Sequence, residues 1–217
     1  MIIIERKVTL IAAPEPPFVG TSVWIKTSAE SPVWGLRDLV KADDSEAITV
    51  DWGDGTVERF EGDVVRVTHE YETHGLHEVR ISDDVKLLML VGLLRVYIEE
   101  YAPKIIRVKT NGTKLSFLGS YVAYKAANLT SFVCDAPGPL RMEMMGFKGC
   151  AALESISLPT VNSVAAGSAS ELPFVDCVAL REIHFAAANK DALLASSAFQ
   201  LDPVHLGSPN GTVMFDL

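Results

Sequence analysis

Five residues near the C-terminal end of the chain return after 27 positions, and this echo constrains the fold more than any other feature. Phe147, Cys150, Leu153, Ile156 and Leu158 recur as Phe174, Cys177, Leu180, Ile183 and Phe185. The shared frame is F-x-x-C-x-x-L-x-x-I-x-[LF], with no gap between the copies. Self-similarity at a period between about 20 and 50 residues is the mark of stacked supersecondary units. One such unit cannot bury its apolar side alone, so its neighbours must cover it. The expectation is a solenoid, in which all ten of these residues are core. Its two cysteines then occupy one repeat position and stack in adjacent coils as small buried thiols.

The rest of the chain has to be compatible with that element. Its 217 residues are 48% hydrophobic and 22% charged, a composition that folds rather than staying disordered. Net charge is −9, unevenly spread: residues 1–90 carry 17 acidic against 9 basic side chains. Such an acidic first half argues against binding a phosphate backbone, which needs clustered Lys and Arg. The start, Met1 to Lys7, places four apolar residues before its charges, the reverse of a secretory leader. The chain is thus expected to be soluble where it is made, or its leader lies outside this sequence. The apolar run from Leu87 to Leu94 is too short to span a bilayer, so no membrane insertion is expected. Three cysteines, Cys134, Cys150 and Cys177, do not make a disulfide framework.

In chain order, Lys7 to Ile11 and Thr21 to Lys26 read as strands. Pro14, Pro16 and Pro17 form a stiff joint between them. Gly35 to Lys41 has no clear period, and Lys41 to Glu46 reads as a solvated acidic loop. Ile48 to Val57 (I-T-V-D-W-G-D-G-T-V) is a β-run, a Gly-Asp-Gly turn and a second β-run, which is a hairpin signature. Gly53 and Gly55 permit positive φ there, Asp54 can accept local backbone N–H bonds, and Trp52 supplies a large apolar area. Val65 to Tyr71 alternates, Thr73 to Gly75 turns, and Leu76 to Ile81 is a further strand. W-G-D-G-T at 52–56, then His69-x-Tyr71, then Gly75 before a strand, resembles the PKD domain. The resemblance implies a small immunoglobulin-like β-sandwich over residues 1–88, with its recognisable pattern from about 18. It also makes His69 the partner of Tyr71.

Lys104 to Val108 is a further strand, followed by a turn at Asn111 to Thr113. Leu129, Phe132 and Cys134 match Leu153, Ile156 and Leu158 at a spacing of 24. Ile106 and Val108 precede Phe132 and Cys134 by 26, which gives about four coils, at Ile106, Phe132, Ile156 and Ile183. Ala123 and Ala126 stand where later copies have Phe and Cys. Gly207 to Phe215 reads as a turn and a closing strand that caps the last coil. The repeat frame resembles BspA-like leucine-rich repeats, here over residues 89–217. These occur in bacterial surface proteins, in several of which a W-G-D-G domain precedes them. The expected fold is therefore mainly β, an immunoglobulin-like β-sandwich followed by a short leucine-rich-repeat solenoid.

Little in the chain suggests chemistry. His69, His74 and His77 could bring imidazoles together for zinc, but they flank a turn and lack the H-E-x-x-H spacing. Asp51 and Asp54, with Asp43, Asp44 and Glu46 nearby, could offer carboxylate oxygens to calcium. The plainer assignment is turn stabilisation by Asp54 and a solvated loop. Cys150 or Cys177 with His184 could form a thiol–imidazole pair, yet a thiol in a core ladder is inert. No catalytic residue, metal or cofactor is expected. The resemblance implies a non-catalytic surface module, extracellular or at the cell surface, that binds a protein or glycan partner. A phage or prophage tail-associated binding protein, cytoplasmic or virion-associated, is the alternative that the start of the chain favours. The accessory region of a hydrolase is a third reading.

Overall fold

The structure is a computed structural model that describes residues 18–91 and 97–216, excepting the Tyr97 side chain. The strand expected at Lys7 to Ile11 and the proline joint lie outside the described residues. The first strands are β1 (Gly20–Thr27), β2 (Val33–Lys41), β3 (Ile48–Asp51), β4 (Val57–Phe60), β5 (Val64–Glu70), β6 (Gly75–Ser82) and β7 (Val85–Leu88). The hairpin expected around Asp54 is β3–β4, with Ile48 opposite Phe60 and Asp51 opposite Val57. In β1, Val23 and Ile25 point inward and are fully buried, as the alternation requires. β2 did not show that alternation because it is bulged. Its register against β5 shifts between Leu36 and Leu39, where Asp38 takes φ 53°. Two core leucines are thereby three positions apart instead of two.

The solenoid strands are β8 (Ile105–Thr110), β9 (Phe117–Leu118), β10 (Ser131–Cys134), β11 (Leu140–Met142), β12 (Ser155–Leu158), β13 (Val161–Val164), β14 (Glu182–Phe185) and β15 (Thr212–Phe215). Each full coil contributes one strand to each of two sheets. β8, β10, β12, β14 and β15 stack in parallel, as do β9, β11 and β13. The fold is mainly β with a stacked, solenoid-like arrangement. One register needs correction. Phe132 sits beside Val108, and Cys134 beside Thr110, so the first coil is offset by 24 residues rather than 26. Thr110, a buried polar residue, occupies the inward site that the sequence reading gave to Val108. Its hydroxyl is satisfied by Thr21 Oγ1 at 2.9 Å.

The repeat frame now has a mechanical meaning. The N–H groups of Ala126, Cys150 and Cys177 donate to the carbonyls of Ala123, Phe147 and Phe174, at 3.0, 3.0 and 3.2 Å. Those of Leu129, Leu153 and Leu180 donate three residues back again, at 3.0, 3.2 and 3.2 Å. Two successive i→i+3 turns bring every third side chain inward, which is the F-x-x-C-x-x-L spacing. The chain then straightens, and the period falls to two at I-x-L. Just before each alanine or cysteine turn position, the backbone is left-handed, at Lys125, Gly149 and Asp176 (φ 55°, 82° and 64°). The thiols also tie coils together. Cys150 donates to the Ala123 carbonyl and Cys177 to the Phe147 carbonyl, both at 3.1 Å.

All three cysteines are buried and unbridged. Burial pushes the Cys150 thiol well above its ordinary pKa, reinforced by neighbouring Cys177, and pushes Cys134 up to about 11. A thiol reagent should therefore label the native protein slowly and the unfolded protein fast. Rapid labelling under native conditions would remove the inert-ladder assignment.

Both sheets run across position 88–89 without a break. β1 pairs antiparallel with β6 on one side and with β8 on the other. β7 pairs antiparallel with β2 and in parallel with β9. The nine-stranded sheet is ordered β15-β14-β12-β10-β8-β1-β6-β3-β4, and the six-stranded one β13-β11-β9-β7-β2-β5. A single cluster of buried side chains runs from Val23 to Leu206. At the C-terminal end, two short helices, α1 (Lys190–Leu194) and α2 (Ser197–Leu201), lie against β13. β15 is a further parallel rung. The Val213 N–H, which points away from β14, is taken by the Val204 carbonyl at 2.8 Å, so the turn before the strand blunts this edge. Among the described residues no helix is long and apolar enough to cross a membrane.

Candidate functional site

The densest set of sequence-marked polar and aromatic residues surrounds the β3–β4 turn. Trp52 is fully buried, edge-on to Trp34 at 6.4 Å and stacked on His69 at 4.8 Å. Its indole N–H donates to Glu58 Oε2 at 2.7 Å. His69 meets Tyr71 edge to face at 4.7 Å, and the Tyr71 hydroxyl donates to the Trp52 carbonyl at 3.1 Å. Burial, with the charges of Asp54 and Asp51, holds the Tyr71 phenol far above its ordinary pKa. The result is a closed aromatic column that ties β5 to the hairpin.

Asp54 fastens the turn. One carboxylate oxygen accepts from the Thr56 N–H at 2.9 Å, and the other lies 2.7 Å from His69 Nε2. Asp51 accepts from the Gly53 N–H at 2.9 Å. Partial burial opposes ionisation of Asp54, but the bonds from His69 and Thr56 outweigh it and hold the carboxyl below its ordinary range. A carboxylate with a lowered folded-state pKa stabilises the fold above its unfolded pKa. That stability is lost as pH falls through the folded value. Asp54→Asn retains an acceptor for Thr56 and should cost little, whereas Asp54→Ala should cost about 1–2 kcal/mol, as for a lost cap. Acid titration should show the wild type losing this increment below the ordinary carboxylate range, with Asp54→Asn lacking that part of the pH dependence. Calcium should leave the melting temperature unchanged. A rise of several degrees, lost in both variants, would make the hairpin a cation site.

The other candidates are dispersed. His77 is buried, within 3.1 Å of Thr27 Oγ1 and of the Thr73 carbonyl, while His74 is exposed. The three histidines are therefore not a zinc set, and no group of three or more potential ligands occurs among the described residues. The acidic loop is solvated but not unpaired. Asp43 bonds Lys86, Asp44 lies 3.3 Å from Lys114, and Glu46 lies 3.1 Å from Arg59. His184 is on the outer side of β14, between Asp216 at 2.9 Å and Glu182 at 3.1 Å. The bond to Asp216, with that to Glu182, raises its pKa against a smaller effect of burial. Cys150 and Cys177 face inward from other segments, so no thiol–imidazole pair forms. Every repeat residue from Phe147 to Phe185 in the echo is buried.

A feature that the sequence did not reveal is a cavity of about 400 Å3 where β1 meets the turn before β8. Lys104 lines it and is only 7% exposed. Its ammonium donates to the Val33 carbonyl and lies 5.5 Å from the centre of the Tyr101 ring. Burial lowers its pKa, and Glu100 partly offsets this. A lysine ahead of an apolar strand reads as a solvated strand end, so nothing in the sequence marks it. Comparison with family models, with curated proteins and with solved structures finds no match to this chain.

Proposed function

We propose that the chain is a non-catalytic recognition module in which a PKD-like, immunoglobulin-like sandwich carries BspA-like leucine-rich repeats. Its setting on this reading is a bacterial cell surface, and its partner a protein or a glycan. The observation that supports this most is the nine-stranded sheet, whose outer face continues from the hairpin to the last coil. On that face Trp24, Arg107 and Ser131 follow one another across adjacent strands, as do Ser155, Glu182 and Thr212, and the pairing of Phe132 with Ile156 brings the two runs into line. Such a row mixes an aromatic, both charges and hydroxyls on a rigid scaffold, which suits binding a polar surface. Arg107 lies over the Trp24 ring at 4.8 Å, so the aromatic end of the row is already ordered. The motif carboxylate Asp54 has both oxygens engaged, one by the Thr56 N–H and the other by His69.

Binding of the labelled chain to glycan and protein arrays tests the reading. Saturable binding to one class, weakened when Ser131→Arg or Ser155→Arg is placed on the outer face, is expected. Turnover of an arrayed glycan or peptide would overturn it in favour of a hydrolytic role.

A further inference from the structure

The cavity beside Lys104 lies at the junction between the antiparallel strands and the first solenoid rung, a usual location for small-ligand sites. Its volume of about 400 Å3 is within the range such sites occupy. Lys26 and Thr27 come from the end of β1, Pro103 and Lys104 from the turn before β8, and Asn128 from the first i→i+3 turns. Asn128 Nδ2 donates to the Pro103 carbonyl at 2.8 Å, which fixes that wall and leaves the amide oxygen available.

The decisive group is the Lys104 ammonium. It has three donors, and the Val33 carbonyl takes one of them. The Tyr101 ring offers its face to the charge, but no ion pair to a carboxylate forms among the described residues, and Glu100 acts at longer range. A buried ammonium without a counter-ion is costly, and a carboxylate brought in by a ligand would relieve that cost. Around it, the Ser28 and Ser31 hydroxyls and the Asn128 amide offer hydrogen bonds, and exposed Lys26 adds a second cation. Glu99 and Glu100 line the other part of the cavity. The Glu100 carboxylate can accept from a ligand hydroxyl. Pro103 and Ile106 provide the apolar wall.

We propose that this cavity binds a small hydroxy-carboxylate, with its carboxylate on Lys104 and its hydroxyls on Ser28, Ser31 and Glu100. The same chemistry is offered by a free sugar acid and by a uronate residue within an acidic glycan. The proposal rests on reading the chain as a recognition module, and the two can fail separately. An array partner still bound by a variant with the cavity blocked would remove the cavity and leave the module. A partner that is turned over would remove the module.

The test is calorimetric titration of the whole chain with glucuronate, glucose and an oligogalacturonate. Glucuronate should saturate in the millimolar range and glucose should bind at least tenfold more weakly. Tighter binding of the oligogalacturonate assigns the site to a glycan, and binding no tighter than glucuronate assigns it to a free acid. Lys104→Met should weaken glucuronate at least tenfold. Because Lys104 is buried, Ser28→Trp provides a second variant that blocks the mouth from an exposed position, and it too should lose at least tenfold. Equal binding of glucose and glucuronate, no saturation by glucuronate, or undiminished affinity in Ser28→Trp would overturn the proposal.

Discussion

Phe147→Ala should destabilise the protein by about 3–5 kcal/mol, the range for truncating a buried aromatic. Phe147 is fully buried, edge-on to Phe132 at 4.7 Å and stacked on Phe174 at 5.5 Å. It therefore touches rings from two other segments, and the two i→i+3 turns that follow it leave the backbone little freedom to close over the void. Ile183→Ala should fall in the lower and broader range of about 2–5 kcal/mol. Val178→Ala, 53% exposed in the same coil, should stay within about 0.5 kcal/mol. Urea unfolding followed by tryptophan fluorescence checks these values and one thing more. All three tryptophans, Trp24, Trp34 and Trp52, precede the solenoid in sequence. With both sheets continuous across the junction, the void at Phe147 should shift a transition reported from β1, β2 and the β3–β4 turn. An unshifted tryptophan signal beside a weakened solenoid would show that the two parts unfold independently.

That continuity is the main thing the sequence did not disclose. The echo from Phe147 to Phe185 revealed the stacking and the inward residues, because a period that changes from three to two can be read directly from apolar spacing. The β3–β4 hairpin was equally legible, since glycine on either side of Asp54 leaves few alternatives. Neither signal contains information about which strand borders which. That β1 joins β8, and β7 joins β9, depends on edges left open by the antiparallel strands, and backbone edges have no side-chain signature. The second solenoid sheet was hidden for a related reason: β9 and β11 have two and three residues, too few for alternation to register. The offset at Val108 arose because Thr110 occupies a core site with a hydroxyl that Thr21 satisfies from another strand. The Lys104 cavity was illegible on the same grounds, being assembled from three segments that are separate in sequence.

Gly53→Ala should be nearly as damaging as the loss of Phe147, and for an unrelated reason. Gly53 takes φ +79°, a left-handed conformation that costs an L-residue roughly 1–2 kcal/mol. A Cβ on it would also run into the Glu78 carbonyl oxygen and stand 3.0 Å from the carbonyl carbon. That obstacle is backbone in β6, which pairs with both β1 and β3, so it cannot swing away as a side-chain tip could. The hairpin would have to lift from the sheet, and the Asp51 bond to the Gly53 N–H would be strained with it. Strain and displacement together should reach about 3–5 kcal/mol, the exceptional end of single substitutions. Gly55 separates the two contributions. It has φ +96°, but a Cβ there meets nothing within 4 Å. Gly55→Ala should therefore show the conformational part alone, about 1–2 kcal/mol. Equilibrium unfolding of both variants measures the difference. Equal costs at the two positions would mean that the close approach of the turn to Glu78 contributes nothing, and that the W-G-D-G pattern reflects backbone conformation only.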